Sequence, residues 1–157
     1  MRKRLVCWTA ACLLLLGGCG ASGAGEDTQG YTEEQAQEIL DGGVFSEELE
    51  ELDCDTAWAL YGLEDAGLTR EQLTDGVIWR SAGATCEELA LLTFSDADGA
   101  EAAAGGLETY LQAQIESNRD YRPAEIPKLE DAFLQASGET VLMVVSNDTQ
   151  AVRDIVE

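Results

Sequence analysis

The start of this chain takes itself out of the fold. Met1-Arg2-Lys3-Arg4 is a short basic segment, and Leu5 to Leu16 is an apolar run broken only by Thr9. That run falls short of the ~20 residues a helix needs to cross a bilayer. It has instead the length of the hydrophobic centre of a cleavable export signal. Whatever folds must be built from the rest of the chain, which is about the length of one domain.

The run ends Leu16-Gly17-Gly18-Cys19, which resembles the lipobox of bacterial lipoproteins: an aliphatic residue, two small ones, then cysteine. In that family the cysteine sulfur receives a diacylglyceryl group and a peptidase cuts just before it. The resemblance implies that residues 1–18 are a lipoprotein signal peptide and that Cys19 is the lipidation site. It also implies that the cytoplasmic membrane is a partner through that lipid, at its outer face. Two or three acyl chains anchor stably where a single chain is marginal. Gly20 to Gly30 is small and polar, so residues 19–30 read as the lipidated cysteine plus a flexible tether. Residues 31–157 are expected to form one domain.

Charge then narrows the chemistry. The 157 residues hold 31 acids, nine Lys+Arg and no histidine, a net charge of −22. Cleavage before Cys19 removes 18 residues and three bases, leaving 139 residues at −25 with Lys128 as the only lysine. With 45% hydrophobic residues the chain is still apolar enough to fold. Without histidine there is no Ser-His-Asp or Cys-His nucleophile pair and no His-ligated metal site. Without clustered bases in the body, nucleic acid is not an expected partner.

Five cysteines become three after processing: Cys19, Cys54 and Cys86. The last two could bridge in an exported domain, closing a loop of about thirty residues, or remain two separate buried thiols. Both readings are open. Neither cysteine has a basic neighbourhood that would make it a nucleophile.

Along the body, Thr32 to Gln35 has the pattern of a capping box opening a helix with Ala36, Ile39 and Leu40 on one face, stopped at Gly42-Gly43. A second short helix is expected over about Glu47–Leu52. Asp55 is read as the cap of a third, which contains Trp58, Leu60 and Tyr61 and closes at Gly62. Thr69 to Gln72 reads as a further helical turn. Val77–Ser81 and Glu87–Phe94 read as a β-hairpin. Ser95-Asp96 caps a long helix to about Arg119 with the stripe Ala100, Ala104, Leu107, Leu111 and Ile115. Gly105-Gly106 suggest that this helix lies close against the sheet. Leu129–Ala136 and Thr140–Val145 read as a second hairpin, and Asn147-Asp148 cap a last helix. The two hairpin-plus-helix units echo each other faintly, through shared turn chemistry. The expected class is α+β, with a small antiparallel sheet of about four strands in two hairpins and helices mainly on one face.

Several strings match a known pattern. Tyr61-Gly62-Leu63, Ser81-Ala82-Gly83-Ala84-Thr85-Cys86-Glu87-Glu88-Leu89-Ala90, Tyr121-Arg122-Pro123-Ala124-Glu125, Gly138 and Val141 to Asp148 occur in that order. Together they resemble a domain family of lipoproteins from clostridial-type Gram-positive bacteria, catalogued as a domain of unknown function. The resemblance spans about residues 31–157 and implies location and extent, with no activity to carry over.

The acids do not assemble into a recognised site. Asp53-Cys54-Asp55 and Asp96-Ala97-Asp98-Gly99 begin like calcium loops but carry Trp58 and Glu101 where such a loop needs glycine. Helix caps and solvated turns explain them better, so no metal or cofactor is expected. Glu87-Glu88 is the most informative pair. If Leu89 and Leu91 face the core, Glu87 faces it too and would need a partner such as Arg80, with Glu88 in solvent; a frayed strand start is the plainer reading. Lys128 is expected at the surface, and Trp58, Trp79, Tyr110 and Tyr121 in the core or at its rim. The sequence thus favours a lipid-anchored, non-catalytic domain that binds a protein or glycan of the cell envelope. A hydrolase of envelope polysaccharide using carboxylates alone is the alternative, requiring two acids that face each other in an aromatic-lined cleft. A small-molecule carrier would need a two-lobed cleft for which 139 residues leave little room.

Overall fold

Residues 73–94 supply the centre of the sheet. In the computed structural model, which describes residues 29–157, β2 (Leu73–Arg80) and β3 (Glu88–Phe94) form the first hairpin, pairing Arg80 with Glu88 and Ile78 with Ala90. The second hairpin joins β4 (Phe133–Ser137) to β5 (Thr140–Val145) around Gly138. β5 then pairs antiparallel with β3, setting Val145 opposite Glu88. A short β1 (Glu50–Leu52) adds to the outer side of β2. The result is one five-stranded antiparallel sheet in the order β1-β2-β3-β5-β4. The expected signal peptide, Cys19 and nearly all of the expected tether lie outside the described residues.

Five helices pack against this sheet: α1 (Glu33–Asp41), α2 (Cys54–Tyr61), α3 (Ala97–Asn118), α4 (Ile126–Glu130) and α5 (Thr149–Val156). The capping box at Thr32 is formed, with Gln35 N donating to the Thr32 hydroxyl. Asp96 caps α3 through Gly99 N, and Asp148 caps α5 through Ala151 N. α2 is capped by Asp53 rather than Asp55, and it ends at Gly62 in the left-handed region (φ 62°), where a side chain would be strained.

The α+β class with a small antiparallel sheet holds. One strand is added to the expected four, because Glu50–Leu52 is extended and pairs with Ile78–Arg80 instead of forming a helix. Leu129 belongs to α4, so β4 starts at Phe133. Both sheet faces are covered. Residues of α2, α3 and α4 pack with Ile78, Ala90, Leu92 and Met143 on one face. Residues of α1 and α5 pack with Leu89, Leu91, Leu142 and Val144 on the other. The two hairpin-plus-helix units therefore diverge in space, since α3 and α5 lie on opposite faces. In α3, Ala103 rather than Ala104 is fully buried, and Tyr110 joins the buried stripe. Gly106 makes a close approach, but to the turn after α2: a Cβ there would lie 3.2 Å from Ala66 Cβ.

Candidate functional site

The register fixes which polar residues meet. With Arg80, Glu88 and Val145 in one row across the sheet, Ser81, Glu87 and Ser146 lie together just beyond it. Covering both faces has a chemical consequence. Neighbouring residues on a strand point to opposite faces, so Glu87 and Glu88 are both buried, at 0% and 2% exposure.

Glu87 is held by four donors. Its Oε1 accepts from Ser46 Oγ (2.9 Å), Lys128 Nζ (3.0 Å) and Asn147 Nδ2 (2.7 Å), and its Oε2 accepts from Ser46 N (2.7 Å). It is neither frayed nor paired with Arg80. Lys128 is not a surface lysine: its side chain is 15% exposed, and it also lies 3.1 Å from Glu125 Oε2. Burial works against the Lys128 charge, but bonds to the two carboxylates outweigh it and raise its pKa.

Glu88 faces the α2–α3 side rather than solvent. Tyr61 and Tyr110 donate their hydroxyls to its two oxygens at 2.7 and 2.9 Å, and Arg80 Nε lies 3.5 Å away. The tyrosine rings meet edge to face, 5.0 Å between centroids. Burial raises the Glu88 pKa, opposed by the tyrosine bonds and the Arg80 charge. Burial and the adjacent carboxylate push both phenols far above their usual range, keeping them neutral donors.

The loop between β2 and β3 is pinned from three sides. Glu47 accepts from Ser81 Oγ (2.5 Å), Thr85 Oγ1 (2.7 Å) and Thr85 N (3.1 Å), and the two hydroxyls lower its pKa. Arg122 Nη1 donates to the carbonyls of Gly83 (2.9 Å) and Thr85 (3.1 Å), while Cys86 N donates to Glu125 Oε2 at 2.9 Å. Arg122 Nε and Ser146 Oγ are buried here without a partner.

The structure thus draws the separated sequence strings to one end of the sheet: Tyr61 to Glu88, Ser81 and Thr85 to Glu47, Arg122 and Glu125 to the loop, Asn147 to Glu87. Arg122, Glu125 and Asn147 were visible within those strings. Ser46 and Glu47 lie in an irregular connection rather than at the start of the helix expected from about Glu47, and nothing in their local sequence marks them as partners of Glu87 and Thr85. The deep carboxylates are spent on internal donors, so this cluster is built to hold a loop and two strands in place.

Other candidates lie apart. Cys54 and Cys86 are free thiols rather than a bridge. Cys54 Sγ sits 3.9 Å from the carbonyl of Gly76, which pairs with Leu92. Cys86 precedes Glu88, about 13 Å along β3 from Leu92, beyond the ~7 Å Cα separation a bridge tolerates. Burial raises both thiol pKa values. The aromatics do not share a groove: Tyr110 lines a hollow between α2 and α3, Trp79 another with Phe45, and Tyr121 is 82% exposed. Among the described residues, no three acids or thiols are grouped to hold a metal ion.

No curated protein and no solved structure matches this chain significantly. A family model does match, over residues 45–146. That span contains all five strands, α2, α3, α4 and most of the polar cluster, from Ser46 to Ser146. α1 and α5 lie outside it. On that match the chain belongs to the family described as a domain of unknown function, DUF4358.

Proposed function

We propose that this protein is a lipid-anchored, non-catalytic interaction domain on the outer face of the cytoplasmic membrane of a Gram-positive cell. The signal, lipobox and tether at residues 1–30 carry the anchoring half of that reading. The observation that carries the other half is the saturation of Glu87 and Glu88. Acid-only hydrolysis needs two carboxylates flanking one bond, about 5–9.5 Å apart, with a proton to give or a water to activate. Here the two buried acids point to opposite faces of β3, and each is occupied by internal donors. A clamp of this kind supports a rigid surface for binding.

Two measurements test the two halves separately. Metabolic labelling with a palmitate analogue is expected to mark the wild type and not Cys19→Ala; equal labelling overturns the anchor. Purified protein incubated with peptidoglycan is expected to release no more reducing ends than the Glu87→Gln/Glu88→Gln variant. Release that depends on those carboxylates overturns the non-catalytic reading and restores the hydrolase.

A further inference from the structure

The two edges of the sheet are unlike. β1 ends one side with three residues, two of them exposed glutamates, Glu50 and Glu51. Short length and charge are the usual protection of an edge against pairing with another chain. β4 ends the other side with Phe133-Leu134-Gln135-Ala136-Ser137, which has no charge, no proline and no irregularity in its pairing with β5. Among the described residues nothing pairs with its outer side.

The tight turn at Gly138-Glu139 makes Ser137 and Thr140 a hydrogen-bonded pair, and such pairs alternate along an antiparallel ladder. The N–H and C=O groups of Leu134 and Ala136 therefore point outward. Their side chains, both half-buried, point toward α3. Between them and α3 runs a groove of about 700 Å3, walled by Leu111 and Ile115 and rimmed by Glu101 and Glu108. An open edge beside a helix-walled groove suits strand addition: main-chain bonds give affinity, and alternate side chains enter the groove.

We propose that this edge and groove bind an extended basic peptide segment of a partner protein, which adds antiparallel to β4 and points alternate basic side chains toward α3, their apolar stems along Leu111 and Ile115 and their charges at Glu101, Glu108 and Glu130. Charge selects this occupant. Glu101, Glu108 and Glu130 face the groove against one base, Arg119. A second copy of this chain would bring the same acids against each other, and residues 20–28 of this chain carry Glu26 and Asp27 and no base. The inference rests on the interaction reading and names the partner's chemistry.

The test uses the full-length protein and a capped heptapeptide alternating lysine and valine. A control peptide is methylated on the backbone nitrogens of the lysines, whose N–H groups face β4 when the lysine side chains face the groove. The control keeps every charge and loses the edge bonds, so its affinity is expected to fall at least about tenfold. Hydrogen exchange is expected to show new protection of the Leu134 and Ala136 amides with the unmethylated peptide alone. Ala136→Pro removes only an outward N–H and is expected to keep the melting temperature while weakening binding by a similar factor. Where that variant fails to fold, amide exchange on the wild type decides. Equal binding of the two peptides, protection elsewhere, or protection of the edge before any peptide is added each overturns the proposal. None of these results bears on Cys19 labelling or on peptidoglycan release, so failure here is separable from failure of the broader reading.

Discussion

Lys128 Nζ lies 3.0 Å from Glu87 Oε1, and the carboxylate it meets has no exposure to solvent. The only lysine expected to remain after signal cleavage is thus spent inside the domain, joining α4 to the start of β3. The same ammonium reaches Glu125, which in turn holds Cys86 N.

Removing that cation should strand a buried charge. Lys128→Met is expected to cost about 3 kcal/mol, the low end for breaking a buried pair, because the lysine keeps some contact with water. Urea denaturation measures it. Adding Glu87→Gln to Lys128→Met should recover part of the loss, since the uncompensated charge is then gone. A double variant no more stable than the single would count against this electrostatic account.

Glu88 should make stability fall as pH rises. Burial raises its folded pKa above the ordinary value of 4.5. The folded state therefore holds the proton more tightly than the unfolded chain does. The stabilisation from this proton is complete below about 4.5 and is lost as pH rises through the folded value. Measured across that window, the stability of wild type relative to Glu88→Gln should decline with increasing pH. A difference that grows with pH would refute the assignment.

Cys54 and Cys86 should remain separate. Alkylation of the denatured protein without reductant, followed by peptide mass mapping, is expected to find a label on both. In the native state both should react slowly at neutral pH, because burial raises their thiol pKa values. Recovery of a linked Cys54–Cys86 peptide would reverse this.

What could be read from the residues alone has a common character. The capping box at Thr32, the Asp96 and Asp148 caps, the αL glycine at Gly62 and the turn at Gly138 all involve bonds within a few residues of each other. β-rich and apolar runs separated by turn residues gave both hairpins and so the α+β class. The acidic pair was singled out by two-residue alternation, but with the wrong surroundings. Its reading assumed one covered face, which left Glu88 in solvent and offered Arg80 to Glu87.

By itself, then, the sequence determined α1, α3, α5 and the two hairpins, because those depend on neighbours along the chain. Only the tertiary structure decided that Glu50–Leu52 is a strand, that α3 and α5 take opposite faces, and that Glu87 and Glu88 are both buried. Each of these depends on partners far away in sequence: Ile78–Arg80 for β1, Tyr61 and Tyr110 for Glu88, Ser46, Lys128 and Asn147 for Glu87. A strand's alternation says which residues share a face; what covers that face is settled by packing between elements, and that packing determines whether a carboxylate meets water or a fixed set of donors.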